Sequence, residues 1–171
     1  MIGEPLTTIF LCDYDTNWKK YFATEKGYLR KILTCNYVIE HVGSTAVPGL
    51  KSRPIVDIII GVGNEYDLLT ARDRLAAYGY TLDNKKSHLG FYSFYRNIGE
   101  KRYFNVYLTL FNSPSWNTYL AIRNYLINNA DKVKEYGAFK SDLLYGVIND
   151  KEKYESLKRR YIVKEILVNI D

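Results

Sequence analysis

The stretch HVGSTAVPGLKSRPIVDIII, residues 41–60, decides the fold of this 171-residue chain. Within it, a small-residue turn, Gly43–Ser44–Thr45, precedes an apolar run over residues 54–62, which predicts a strand mostly buried on both faces. One carboxylate, Asp57, interrupts that run. A buried carboxylate is costly unless it binds a cation, accepts backbone N–H groups or pairs with a basic side chain. Three explanations of Asp57 are therefore open.

The turn before Asp57 has its own two interpretations. Exposed backbone N–H groups and hydroxyls in such a turn can hold a phosphate, and the alternative is a plain connection between strand and loop. Arg53 lies four residues before Asp57, about 13 Å away along an extended strand, so the two would pair only if the chain turned. His41 could relay a proton beside the turn, but a hydrogen-bonded structural role is favoured.

Helix and strand patterns surround this stretch. Asp15 or Thr16 is a candidate cap for a first helix, and residues 36–42 predict a short strand that precedes the turn. After the strand at residues 54–62, Asn64 caps a further helix that Gly79 ends. The order of elements favours an α/β (α+β) domain with a mixed sheet.

The second half of the chain changes from strands to helices. A short strand is predicted at residues 80–83, and a hairpin at 91–96 and 102–111 around residues 97–100. Ser113 and Pro114 are typical of a helix start, and three helices should follow Ser113, the later two over residues 131–146 and 150–169. The C-terminal third is therefore predicted to be helical.

Composition limits the classes of function. The chain suits one domain over residues 1–171, and its net charge of +5 fits an anionic ligand without a dense polybasic segment. The 17 tyrosines favour half-buried surfaces over nucleic-acid stacking, so a nucleic-acid partner is not expected. Cys12 and Cys35 form no metal-ligand pattern, and no apolar run approaches the roughly 20 residues of a membrane span. We expect a cytoplasmic protein with no membrane partner.

Several segments together resemble the GrpB family. Its hallmark is matched by EHVGSTAVPGL at residues 40–50 and by RPIVDI at residues 53–58. The resemblance continues in YDTNW at residues 14–18 and in two C-terminal stretches, residues 115–143 and 154–167, so it covers essentially the whole chain. It implies a branch of the nucleotidyltransferase superfamily, with the palm fold of DNA polymerase β: a mixed sheet flanked by helices.

The resemblance also implies roles for individual residues. In that superfamily a Gly-Ser turn holds nucleotide phosphates, and two acids at i and i+2 on a strand hold two divalent ions. Gly43 and Ser44 match the turn, and Asp57 matches the first acid, the candidate catalytic and Mg²⁺-binding residue. The second acid is replaced by Ile59. Asn105 and Tyr107 stand where the family often has a His-x-His-like pattern.

Two functions remain open on these grounds. One is transfer of a nucleotidyl group with Mg²⁺ held by Asp57, and the other is binding of a nucleotide or another phosphorylated small molecule without turnover. A structural Asp57 is the third possibility, and the oligomeric state is left open. The basic stripe Lys153, Arg160 and Lys164 is interpreted as a solvated helix face, with a phosphate-binding cleft as the alternative. The residues expected to bind the ligand are Gly43, Ser44, Thr45, Arg53, Arg96, Arg102, Asn105 and Tyr107, and Ser44, Asp57, Arg96, Arg102, Asn105 and Tyr107 should meet in one pocket.

Overall fold

A computed structural model describes residues 1–147 and 150–170. The strands of this part are β1 (Glu4–Pro5), β2 (Tyr37–Val42), β3 (Val56–Val62), β4 (Thr81–Leu82), β5 (Phe91–Ile98) and β6 (Lys101–Leu110). The helices are α1 (Asn17–Ile32), α2 (Glu65–Ala77), α3 (Pro114–Asn128), α4 (Ala130–Val147) and α5 (Lys151–Tyr161). A short 3₁₀ helix, Ser44–Ala46, follows β2 directly. The predicted mixed α/β fold with a helical C-terminal third is confirmed.

The strands form one mixed sheet in the order β2-β3-β6-β5-β4, and β1 pairs with the start of β6. Strands β3 and β6 run parallel, and the other neighbours are antiparallel. The register of the parallel pair puts Asp57 opposite Asn105 and Ile59 opposite Tyr107. The apolar residues of β3 are buried on both faces of the sheet, as the sequence predicted.

Side-chain caps fix where three helices begin. Asn64 accepts a hydrogen bond from the backbone N–H of Asp67, and Ser113 accepts one from Trp116. Asp150 caps α5 in the same way. At α1 the side chain of Asp15 accepts from the backbone N–H of Asn17, whereas Thr16 makes no cap hydrogen bond. Of the two candidate caps for this helix, Asp15 is therefore the one whose side chain bonds the backbone.

The two faces of the sheet pack against different helices. Val56, Ile58 and Ile60 of β3 are buried together with residues of α1 and α2 in the largest apolar cluster. On the other face Ile59 packs with Val42 and with Trp116 of α3. A further cluster joins α4 to the loop before β3 and to the C-terminal turns. The odd-numbered residues of β3 and residues 105, 107 and 109 of β6 therefore face the C-terminal helices, because strand side chains alternate.

The last helix is shorter than predicted. One helix was expected over residues 150–169, but α5 ends at Tyr161 and is followed by a π-helical turn, Ile162–Ile166, and a 3₁₀ turn, Leu167–Asn169. Three of the five residues of the π turn are β-branched, which lowers α-helix propensity. Ile166 is fully buried in the cluster under α4. Across the described part of the chain, every helix is too short or too polar to cross a membrane.

Candidate functional site

Asp57 is held by hydrogen bonds from the neighbouring strand. Its Oδ1 accepts from Asn105 Nδ2 at 2.8 Å and from the Tyr107 hydroxyl at 3.1 Å. The three side chains meet because residues 57, 105 and 107 point to the same face of adjacent parallel strands. Arg53 instead makes ion pairs with Glu4 and Glu155. Of the three explanations of Asp57, the geometry favours hydrogen bonding, with side-chain rather than backbone donors.

Burial controls the protonation of this group. It raises the pKa of the Asp57 carboxyl, while the hydrogen bond from Asn105 and the charges of Lys158 and Arg53 oppose the shift. Burial, followed by the charge of Asp57, raises the pKa of Tyr107 well above its ordinary value. Tyr107 therefore stays protonated and can donate to Asp57 throughout the neutral range.

The Gly43 turn lies directly against Asp57. Gly43 has a φ of 70°, in the region that glycine adopts most readily. A Cβ atom at this position would lie 2.9 Å from both Cβ and Cγ of Asp57, closer than such atoms approach. Only glycine satisfies both conditions, so the turn and the carboxylate form one packed unit.

A cavity of about 370 Å³ opens over this unit, between the sheet and helices α3, α4 and α5. Six cationic side chains line this cavity, and Arg53 and Lys140 are two of them. Ser44 lines it as well. Asp57 and Glu155 are the carboxylates among its lining residues. Six residues predicted for the site line it: Gly43, Ser44, Arg53, Asp57, Asn105 and Tyr107.

Lys140 of α4 is a site residue that the sequence prediction missed. Its side chain is only 1% exposed, and Nζ donates to Ser44 Oγ at 3.2 Å and to the carbonyl oxygen of Lys51. Nζ also lies 4.7 Å from the centre of the Tyr136 ring. Burial, aided by the charges of Lys158 and Arg53, lowers the pKa of this amine well below its ordinary value. The available signal was a lysine on the buried stripe of α4 that contains Val133 and Tyr136.

Helix α5 contributes a second charged group. Glu155 Oε1 lies 2.9 Å from Arg53 Nη1, and Glu155 Oε2 lies 2.6 Å from Lys158 Nζ. Arg159 also lines the cavity, and no carboxylate of the described residues lies within ion-pair distance of it or of Lys140. The stripe predicted from the sequence, Lys153, Arg160 and Lys164, is exposed and outside the cavity, as expected of a solvated face.

Arg96 does not join the site, so its expected place in the pocket is wrong. It pairs in register with Phe104 and therefore faces α1 rather than the cavity. There Nη1 lies 2.9 Å from both carboxylate oxygens of Glu25, and the guanidinium stacks on Tyr28. Strand alternation separates Arg96 from Asn105 and Tyr107.

Arg102 and Thr45 are also outside the cavity. The pairing of β6 with β5 skips Tyr103, and Arg102 stacks at 4.0 Å on the ring of Tyr95. Arg102 lines an adjacent cavity of about 520 Å³. Thr45 is fully buried, with its hydroxyl 3.0 Å from Nε2 of His41. The expected convergence of six side chains therefore holds for four: Ser44, Asp57, Asn105 and Tyr107.

His41 supports the turn from the other face of the sheet. Besides its contact with Thr45, its ring stacks on Phe22 of α1, with ring centres 4.9 Å apart. Burial and then the charge of Arg123 lower the pKa of His41 to about 4. The imidazole is neutral at pH 7, which favours the structural interpretation over the proton relay.

The donor set does not fit the two-metal site that the resemblance implies. Ile59 is fully buried against Trp116, so no second acid lies beside Asp57 on β3. Residues 1–147 and 150–170 contain no group of three or more His, Cys, Asp and Glu side chains that could hold a metal ion. The Oδ1 atom of Asp57 already accepts two hydrogen bonds. Two-metal chemistry therefore lacks its ligands here.

This architecture is a nucleotidyltransferase-like fold. A structure of the Cid1 poly(U) polymerase with bound MgGTP matches 79% of this chain and 44% of the polymerase chain, with a TM-score of 0.54 at 12% identity. At that identity the likeness concerns the fold alone.

The family is defined more closely by sequence. The family model described as "GrpB protein" matches residues 8–167. The glutamate-rich protein GrpB of Alkalihalophilus pseudofirmus is 30% identical, with 98% of each chain covered. A crystal structure of the conserved protein GrpB from Enterococcus faecalis matches 88% of this chain and 93% of that chain, with a TM-score of 0.78 at 26% identity. The chain belongs to the GrpB family.

Proposed function

We propose that the protein binds a phosphorylated small molecule, with nucleotides as the leading candidates, and that a phosphate lies between the Gly43–Ser44 turn and Lys140. The observation that carries this proposal is the contact between Lys140 Nζ and Ser44 Oγ in the cavity wall. A buried amine is costly, and no described carboxylate forms an ion pair with it. An anionic ligand beside this amine would favour its protonated form and supply the counter-charge that the described residues do not.

The surroundings of this contact suit a phosphate. Ser44 begins a 3₁₀ turn that follows a glycine with positive φ, and its hydroxyl is already hydrogen-bonded at the cavity. Hydroxyls and cations of this kind donate charge-assisted hydrogen bonds to phosphate oxygens. Four cations in addition to Arg53 and Lys140 line the cavity: Lys86, Arg123, Lys158 and Arg159.

An aromatic part of the cavity wall suits a planar group such as a base. Tyr107 and Tyr119 have ring centres 4.7 Å apart, and both stack with Phe91. All three line the same cavity. Stacking on aromatic side chains contributes to base binding without requiring one particular base. A nucleotide would use both walls, whereas a simple sugar phosphate would use one.

Nucleotidyl transfer with Mg²⁺ is the finer activity that the family resemblance implies, and we do not extend the proposal to it. Transfer of this kind relies on paired metal ions to stabilise charge in the transition state. The position of the second acid is occupied by Ile59, and Asp57 is engaged by Asn105 and Tyr107. Binding without turnover requires none of the missing ligands.

The test is calorimetric titration of the protein with a panel of nucleoside mono-, di- and triphosphates, with and without Mg²⁺. Lys140→Met keeps the length and apolar contacts of the side chain but removes the charge. We expect the variant to weaken binding by about ten- to a hundredfold, since one charge-assisted contact is lost.

Lys134→Met is the matched control, because Lys134 is an exposed lysine of the same helix. It should bind with unchanged affinity. The choice of a nucleotide as the ligand is wrong if the wild-type protein binds none of the panel, and the phosphate site is wrong if Lys140→Met binds as tightly as the wild type.

A further inference from the structure

Glu155 lies where the two cavities meet. The adjacent cavity, which Arg102 lines, and the cavity over Asp57 share four lining residues: Arg53, Lys86, Glu155 and Arg159. The Glu155 carboxylate bridges Arg53 and Lys158, which come from different parts of the chain. It is therefore an internal anion held between two of the cations of the site.

The polar groups near Arg53 are incompletely satisfied. Although Glu155 Oε1 lies 2.9 Å from Arg53 Nη1, the orientation of the N–H group misses a hydrogen bond, and this buried oxygen has no hydrogen-bond partner. Two more buried atoms lack a hydrogen-bond partner. They are Glu4 Oε1, which lies 3.6 Å from Arg53 Nε, and the hydroxyl oxygen of Tyr154, a residue that lines the cavity. Buried polar atoms are normally paired, so the carboxylate of Glu155 is poorly matched to this position. Of the three atoms, the Tyr154 hydroxyl is the one that can donate a hydrogen bond to an anionic ligand.

We infer that the Glu155 carboxylate occupies the position of a second anionic group of the ligand and competes with it. This inference rests on the proposed function. The ligand then carries two adjacent anionic groups, as a diphosphate does. One group binds at Ser44 and Lys140, and the other displaces Glu155 from Arg53 and Lys158.

Electrostatics supports a stand-in of this kind. Burial alone would raise the pKa of Glu155, but Lys158 and Arg53 outweigh burial and hold the pKa at about 2. The two cations thus strongly favour an anion between them, and without one they would be partly buried like charges. A phosphate offers more charge than a carboxylate and matches the planar guanidinium of Arg53 in a bidentate contact.

Displacement requires movement of one side chain rather than of the fold. Glu155 lies in the middle of α5, and its side chain is 31% exposed, so a rotamer change can carry the carboxylate toward solvent. Arg53 keeps Glu4 as a partner after that change. Glu155 would therefore determine how much a second anionic group adds to the affinity of a ligand.

The experiment compares orthophosphate with pyrophosphate as probes, titrated into wild type, Glu155→Gln and Glu65→Gln. Glu155→Gln should bind pyrophosphate on the order of tenfold more tightly than the wild type, because the competitor has lost its charge. Orthophosphate, which needs only the subsite at Lys140, should gain less. Glu65→Gln makes the same change of charge on an exposed residue of α2 and should bind both probes as the wild type does.

A second variant covers a failure of Glu155→Gln to fold. Glu155→Asp keeps the charge but shortens the side chain, so that it reaches Arg53 and Lys158 less well, and it should tighten pyrophosphate binding to a smaller extent. Unchanged or weakened pyrophosphate binding in the folded variant overturns the inference about Glu155 alone. If neither probe nor any nucleotide binds to any variant, the proposed function fails as well.

Discussion

Each face of the sheet has one arginine–glutamate pair next to it, and the surroundings of the two pairs differ. On the face toward α1, Arg96 contacts Glu25 with two equal distances, and the rings of Tyr28 and Tyr80 flank its guanidinium. On the face toward α5, Arg53 and Glu155 border two cavities. Aromatic rings flank the first pair, whereas the second borders space that a ligand can enter.

The difference shows that an ion pair indicates a functional site only through its surroundings. Both pairs have an N–O distance of 2.9 Å. Glu25 satisfies its oxygens with Arg96 and with the hydroxyl of Tyr80, whereas Glu155 leaves Oε1 without a hydrogen bond. A complete hydrogen-bond set is typical of a structural pair, and an incomplete one next to a cavity leaves capacity for another molecule.

The largest effect on stability is expected at Gly43, where the turn packs directly against Asp57. Gly43→Ala places a Cβ against Asp57 in addition to straining a positive φ, and should lower the free energy of unfolding by about 4 kcal/mol. Gly49→Ala is the control, because Gly49 has a φ of 78° but nothing within 4 Å of its Cβ position. Urea unfolding should show a loss of only about 1 to 2 kcal/mol for it. Equal losses would mean that Asp57 does not crowd the turn.

Removing the charge of Glu25 should lower the stability of the protein and leave ligand binding in the cavity unchanged. Glu25→Gln leaves the guanidinium of Arg96 without its counter-charge between two rings. Because Arg96 is partly exposed, the free energy of unfolding should fall by about 2 kcal/mol. Its pyrophosphate affinity should equal that of the wild type once folded protein is counted. A change in that affinity would show that the two faces are coupled, and the contrast drawn between them would fail.

The smallest effect on stability is expected for Asp57→Asn. Because burial raises the folded-state pKa of Asp57, this group favours folding below its unfolded pKa, and that contribution is lost as the pH rises through the folded value. An asparagine at position 57 does not ionise, so the variant does not lose stability as the pH rises through this range. Its side-chain oxygen can still accept hydrogen bonds from Asn105 and Tyr107. Its free energy of unfolding at pH 7 should lie within about 1 kcal/mol of the wild-type value, or above it.

The same variant tests whether Asp57 acts on a metal ion. Nucleotide affinity should be measured with and without Mg²⁺ in the folded variant. If only the Mg²⁺-dependent part of the affinity falls, Asp57 has the metal role that the family resemblance implies. Intact affinity both with and without Mg²⁺ in the folded variant would instead identify Asp57 as a structural hydrogen-bond acceptor.

Local rules of the chain were enough for much of the site. The spacing of Asn105 and Tyr107 on a strand predicted that both share a face, and Gly43 with Ser44 predicted a turn at its edge. The caps Asn64 and Ser113 and the hairpin closed near Gly99 were predicted in the same way. Each of these signals acts over a few residues, so a single sequence contains it.

Tertiary structure decided which charges meet the turn. Lys140 is 96 residues from Ser44, and nothing in the local pattern of α4 names the partner of a buried lysine. Arg96 was assigned to the wrong face because its direction depends on the register between β5 and β6, which long-range pairing sets. The sequence by itself therefore determined most of the elements, the Gly43–Ser44 turn and the face that carries Asp57. The cations around that turn were decided only when helices distant in sequence packed over it, since burial and charge pairing are properties of the assembled fold.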